Sequence, residues 1–211
     1  RSPLATLKTG LSILKNKSGM GKNARIFMLM EREMSGMERL IQDLLYLAKA
    51  ENAALSFHFA QVNLASLLAS VYEKFMEDAQ NKLVTLSLSI ADNCNYDCLC
   101  DGQRIAQAMT ILVDNALTYT PSGQTVTLHI YSSHHKCYIQ VIDTGVGISG
   151  SDKEKIFDRF YQADSSRSHK GHFGLGLSIA KEICHTHGGS ISVSDTKGGG
   201  STFTIRLPQR Q

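Results

Sequence analysis

Asn115, Asp143 and a run of glycines at 145, 147, 171, 174 and 176 are the residues whose types and order could do chemistry together. Asn115 sits in Leu112-Val113-Asp114-Asn115-Ala116, a helical pattern. Its side-chain oxygen can ligate a hard cation that also holds phosphate oxygens. Asp143 ends the apolar run Tyr138-Ile139-Gln140-Val141-Ile142, where a carboxylate can accept a hydrogen bond from a purine amino group. Gly145 and Gly147 follow it and allow positive φ and close main-chain approach to a flat ring. Gly171-His172-Phe173-Gly174-Leu175-Gly176-Leu177 opens an apolar helix, so its N–H groups and the helix dipole suit phosphate. Taken singly these features are ordinary: a solvated helical Asn, an Asp-Gly turn at a strand end, a tight glycine turn. In this order they are the parts of an ATP site. Asp143-Thr144-Gly145 also matches the aspartic-protease signature, but that chemistry pairs two such carboxylates. With one copy per chain it would need a site at a dimer interface.

The elements that must hold these residues come in two groups. Leu4, Leu7, Leu11 and Leu14 are spaced 3, 4, 3 and predict a first helix, broken by Lys15 to Lys22. Phe27, Met30, Met34, Met37, Ile41, Leu44 and Ala48 alternate by 3 and 4, an a/d seam over about three heptads. A hairpin this short buries its seam best against a second copy, giving a four-helix bundle in a homodimer; packing on the rest of the same chain is the alternative. The period is lost between Glu51 and Gln61, which places a domain boundary there, with residues 1–55 on one side and 56–211 on the other.

The second group mixes helices and strands. A helix capped by Asn63 runs to Asp78, a strand covers Val84 to Ile90, and a helix covers Asp101 to Tyr119. Val126 to Tyr131 and Cys137 to Ile142 form a hairpin turned at His134-His135-Lys136. A helix from Phe173 to His187 ends at Gly188-Gly189, and strands Ser190 to Val193 and Thr202 to Leu207 close the chain. The fold class is therefore α+β: a helical hairpin followed by a sandwich with helices on one face of a mostly antiparallel sheet.

Composition bounds the function. The 211 residues are 42% apolar, enough for a sizeable core. The net charge of +3 is too small to argue for nucleic acid or an acidic membrane surface. No apolar run approaches the roughly 18 residues of a membrane span. Five cysteines without framework spacing favour a reducing, cytosolic setting. Cys94, Cys98 and Cys100 admit a metal site, but Cys98 and Cys100 read more simply as one face of a short strand, with Leu99 on the other. His185 and His187 read as a helix C-terminus meeting its dipole. The polar stretch Asp164 to Lys170 suits a lid over a ligand or an ordinary surface loop.

Five ordered motifs then converge on a resemblance. Leu112 to Pro121 is similar to the N box of the histidine kinases of bacterial two-component systems, and Asp143 to Gly147 to their first glycine box. Ile156-Phe157-Asp158-Arg159-Phe160-Tyr161 is similar to the F box, Gly171 to Leu177 to the second glycine box, and Gly198 to Pro208 to the closing strand. Arg1-Ser2-Pro3-Leu4 resembles the end of the family's His-Glu-Leu-Arg-Thr/Ser-Pro-Leu box.

The resemblance implies a dimerisation and histidine-phosphotransfer bundle joined to a Bergerat-type ATP-binding domain, with ATP and Mg2+ as cofactors. It implies Asn115 as the magnesium ligand, Asp143 as the adenine reader and Tyr119 as a pocket residue. Gly145, Gly147, Gly171, Gly174, Leu175, Gly176 and Leu177 shape the pocket and phosphate loop. Arg159 is implied to contact the γ-phosphate or the bundle, and Ser2 to orient water for regulator dephosphorylation. The phosphoacceptor histidine is implied upstream of Arg1, the partner is a response-regulator receiver domain, and the chain is the cytoplasmic portion of a membrane-anchored sensor. A Bergerat-fold ATPase without phosphohistidine is the alternative. Thr110, Thr118, Gln162 and His172-Phe173 depart from the family pattern, each removing a phosphate or metal contact or a flexible joint.

Overall fold

The computed structural model describes residues 11–12, 24–51, 56–92, 94–163 and 173–209. Ser2, most of the expected first helix, Gly171 and the stretch 164–170 lie outside the described residues.

Helix α1 (Ala24–Glu51) carries the predicted seam. Tyr46 and Leu47 point the other way and join the core of the rest of the chain, while Met30, Met37, Ile41 and Leu44 of the seam stay exposed. Phe27 and Met34 of the same seam are half-buried.

After the linker come β1 (Ala60–Asn63), α2 (Leu64–Asn81), β2 (Thr85–Ile90), β3 (Asp97–Cys100) and α3 (Gly102–Tyr119). The chain continues with β4 (Thr125–Ser133), β5 (Lys136–Asp143), the single turn α4 (Gly150–Lys153), α5 (Gly176–Thr186), β6 (Ser190–Asp195) and β7 (Ser201–Pro208). A five-stranded sheet has the order β2-β4-β5-β7-β6, and β1 pairs with β3 in a separate two-stranded sheet. Only the β2–β4 pair of the large sheet is parallel, because the crossover through β3 and α3 separates them. Along β5 buried and half-exposed side chains alternate strictly, so one face carries Ile139 and Val141 and the other meets solvent. Helices α2, α3 and α5 cover the buried face, with Leu68, Ile105, Met109, Leu112, Ile179 and Ile183 almost fully enclosed. Each such side chain contributes about 1.5–3 kcal/mol by leaving water.

Local chemistry sets the element ends. The Asn63 side chain accepts from the Ser66 N–H at 3.0 Å, the predicted cap of α2. The Asp101 side chain accepts from Arg104 N–H at 3.1 Å and, through its other oxygen, from His58 N–H at 3.0 Å. That one carboxylate both starts α3 and pins the linker. The β4–β5 turn needs only His134 and His135, both at positive φ, so Lys136 already belongs to the strand. Two elements differ from the expectation. β1 is unexpected, since four mostly exposed residues show no alternation and find their partner β3 more than thirty positions away. α5 starts at Gly176 rather than Phe173, because Gly174 sits at φ 73° and its carbonyl accepts from Phe160 N–H at 2.9 Å. Cys98 and Cys100 do share the buried face of β3, with Leu99 outward. His187 is buried: its Nδ1 lies 2.7 Å from the Ile183 carbonyl and its Nε2 accepts from Asp101 N–H at 3.0 Å, tying the ends of α5 and α3.

Burial pushes the Asp101 carboxyl up, but the N–H groups of His58 and Arg104 and the nearby Arg104 guanidinium outweigh it and hold the pKa below the ordinary value. A depressed folded pKa stabilises the fold above the unfolded value of about 4, and that share is lost as pH falls through the folded value. Asp101→Asn keeps a good cap and should therefore flatten the fall in thermal midpoint on acidification below about pH 4. An acid limb as steep as in the parent chain would contradict this account.

Candidate nucleotide site

The C-terminal end of β5 carries the site. Asp143 is 5% exposed, and its Oδ1 accepts from Gly145 N–H at 2.9 Å and Ser201 N–H at 3.2 Å. The register places Ile142 beside Thr202 and Asp143 beside Val126, so β4, β5 and β7 converge on this carboxylate. Burial raises the Asp143 pKa above the usual carboxylate value despite the two N–H donors. Two glycines beside it, Gly145 in the turn that follows and Gly200, have no room for a side chain. A Cβ on Gly145 would stand 2.4 Å from the Tyr119 carbonyl oxygen, and one on Gly200 would fall on the Asp143 carbonyl. Thr144 locks the same turn from the far side, its N–H donating to the Thr125 carbonyl at 3.1 Å while its hydroxyl accepts from Thr125 N–H.

A cavity of about 780 Å3 opens from this carboxylate. Asn115 and Tyr119 line it from α3, Gly147 from the turn, and Gly174, Leu175, Gly176 and Leu177 from the start of α5. Gly145 supports the floor through its bond to Asp143 rather than lining the cavity. Gly174 is required by contact as well as by φ, since a Cβ there would lie 2.5 Å from the Tyr161 carbonyl. This brings the F-box residues Phe160 and Tyr161 onto the glycine loop, and Tyr161 is anchored in turn by a 2.6 Å bond from its hydroxyl to Asp152.

Arg159 is not among the residues brought together here. It lines a separate cleft of about 500 Å3, with Leu47 of α1 and Lys181 and His185 of α5. Conversely, several cavity residues carry little or no signal in the sequence. Ser201 lies just past the glycine run 198–200, so its signal is one residue away. Arg39, Gln42 and Asp43 come from α1 and join only because that helix docks on α5, from where its side chains reach α3. Arg39 donates to Asp114 Oδ2 at 3.2 Å. No group of three or more His, Cys, Asp or Glu able to hold a metal occurs among the described residues, and no helix among them is long and apolar enough to cross a membrane.

An α/β sandwich with a buried carboxylate at a strand end and a helical Asn lining the same glycine-lined cavity is the arrangement of a Bergerat-type nucleotide-binding domain. Residues 100–211 match the family of histidine kinase-, DNA gyrase B- and HSP90-like ATPases, more than half of the chain, and the chain belongs to that family. Its ATP-binding domain is of the sensor histidine kinase type. The chain is 34% identical over 216 residues to the sensor histidine kinase WalK of Bacillus subtilis, covering 100% of this chain but 35% of WalK. The catalytic domain of the histidine kinase ThkA superposes with a TM-score of 0.64 at 28% identity, covering 72% of this chain and 97% of that one. ThkA in complex with the response regulator TrrA shares the fold over 99% of this chain and 58% of that one, with a TM-score of 0.72 at 23% identity.

The close approach at Gly145 gives a direct test. Gly145→Ala should lower stability by about 2 kcal/mol or more, because the methyl group must displace the Tyr119 carbonyl or the Asp143 carboxylate. Denaturant titration that finds less than about 0.5 kcal/mol would show that the turn yields freely.

Proposed function

We propose that the chain is the catalytic core of a bacterial sensor histidine kinase, with residues 1–55 forming the dimerisation and phosphotransfer hairpin and 56–211 the ATP-binding domain. The observation that carries this is the placing of Asp143 and Asn115 in one cavity, at the positions where the family's motifs stand. With Oδ1 engaged by two main-chain donors, Asp143 keeps Oδ2 for the adenine amino group. The fixed N–H donors give the carboxylate a single orientation, so recognition needs no rearrangement. Tyr119 and Gly147 form the wall against the base, and Gly145 holds the Asp143 carboxylate from behind. Leu175 to Leu177 bring the start of α5 toward the phosphates, where its N–H groups favour negative charge.

The residues present fit Mg2+ as a nucleotide-borne ion. Asn115 offers one oxygen, and a magnesium ion of this kind takes most of its shell from phosphates and water. When bound, Mg2+ neutralises charge on the transferring phosphoryl group. The chain's own task is to hold the nucleotide so that its γ-phosphate can meet a histidine of the bundle upstream of Arg1, from which a response-regulator aspartate takes the group. Ser2 would orient water in the reverse, regulator-dephosphorylating reaction. Arg159, in its cleft against α1, serves the contact between domain and bundle. The complex of ThkA with its regulator TrrA supports a receiver domain as partner. The parent chain is proposed to be membrane-anchored, with this part in the cytoplasm.

The exposed seam of α1 supports a homodimer. Replacing both Met37 and Ile41 by Lys should convert a dimer into a monomer in light scattering after gel filtration, since each charge would sit in the apolar interface. An unchanged mass would remove the seam as the interface.

For the chemistry, a chain carrying its native residues upstream of Arg1 is incubated with γ-labelled Mg-ATP. Acid-labile, base-stable label on the protein is expected. Asn115→Ala should abolish that label while the thermal midpoint stays put. Inorganic phosphate released without labelled protein would instead establish an ATPase outside signalling.

A further inference from the structure

The reading of the cavity as an ATP site leaves an electrostatic deficit. Asp43, Asp78, Asp114, Asp143 and Asp152 all line it, whereas its lining cations among the described residues are Arg39 and Lys74. Among the described lining residues a triphosphate meets more carboxylates than cations, and a bound magnesium ion offsets only part of that repulsion. Lys74 belongs to α2, where its ammonium stands 5.6 Å from the ring of Phe75. Arg39 is placed differently. Its guanidinium reaches across from α1 to Asp114, the residue immediately before Asn115 on α3, and so stands at the cation-binding end of the cavity.

That contact is a poor use of an arginine if stability is its purpose. Nη1 lies 3.2 Å from Asp114 Oδ2, and the two side chains are 57% and 33% exposed. Exposed pairs of this kind contribute little to a fold. A guanidinium has five N–H donors in a planar fork that matches phosphate, and paired N–H···O bonds to a phosphate are stronger than one long bond to a solvated carboxylate. One turn further along α1, Asp43 lines the same cavity. The charge thus stands beside the Asp114 carboxylate, at the cavity, before any ligand arrives.

We propose that Arg39 is a phosphate-binding residue of the ATP site, contributed by the phosphotransfer helix and held in place by Asp114. Helix α1 thereby senses the triphosphate directly, and the nucleotide's charged tail helps seat α1 on the ATP-binding domain. This inference rests on the ATP-site reading above and goes beyond it in naming a residue outside the ATP-binding domain.

Isothermal titration of the chain with Mg-ATP, Mg-ADP and adenosine, in the parent and in Arg39→Gln and Arg39→Lys, tests it. Arg39→Gln should weaken Mg-ATP by about tenfold, the loss of one charge-assisted phosphate contact, and leave adenosine within about twofold. Arg39→Lys should fall between, with point charge but no fork. The thermal midpoint without ligand should not move in either. Equal weakening of ATP and adenosine, or no weakening of ATP, would overturn the proposal and leave Arg39–Asp114 a surface ion pair. A parent chain that binds none of the three would overturn the ATP-site reading itself, a result distinct from loss of the Arg39 effect alone.

Discussion

The carboxylate of Asp143 is held in one orientation by N–H groups from both sides of it in the sheet, Gly145 on its own strand's turn and Ser201 at the start of β7. The surrounding backbone packs to that bond. Gly145 lies against the Tyr119 carbonyl, so the end of α3 is tied to the turn. Gly200 lies against the carbonyl of Asp143, so β7 can begin only where it does. Val146 N–H donates to the Tyr119 carbonyl at 3.4 Å, completing the link. A buried carboxylate without those donors would be costly to keep charged. Here the cost is only partly offset, which is why its pKa remains raised, and the remaining polarity faces the cavity.

Helix α1 answers to two environments. Its C-terminal turns lie on the domain, where Tyr46 is stacked under the Arg104 guanidinium at 5.1 Å and Leu47 is buried. The opposite stripe of Met and Leu residues faces out. The docked side is not fully optimised, because the buried Tyr46 hydroxyl has no hydrogen-bond partner among the described residues, a defect worth about 1–3 kcal/mol. A helix that packs on the domain with one side and leaves an apolar stripe on the other is not buried to core standards. That compromise suits an element placed between the proposed dimer seam and a nucleotide-binding domain.

Much of the domain is legible in the order of its residues. Asn63 and Asp101 announce two helix starts because an Asx side chain before an apolar period has one economical use. The alternation along β4 and β5 marks a half-buried hairpin, and the two histidines between them mark its turn. The site residues on the motif loops are legible for the same reason, since Asp143, Gly147 and Gly174 are tied to local turns. Strand β1 is not, because its pairing is entirely non-local. Nor is the position of Arg159, whose motif lies next to Tyr161 in sequence but whose side chain belongs to another cleft.

The sequence by itself determined most of the elements, the order of the motifs and the family, because each rests on periodicity or on residues within a few positions of one another. Only the tertiary structure decided which charges meet. Arg39 and Asp114 are 75 positions apart, and nothing in the period of either helix says that α1 lies across α3. The same holds for His58 and His187 on Asp101, which join linker, α3 and α5 at one point. Long-range pairs of this kind depend on how apolar faces pack, and packing is a property of the whole chain rather than of any window along it.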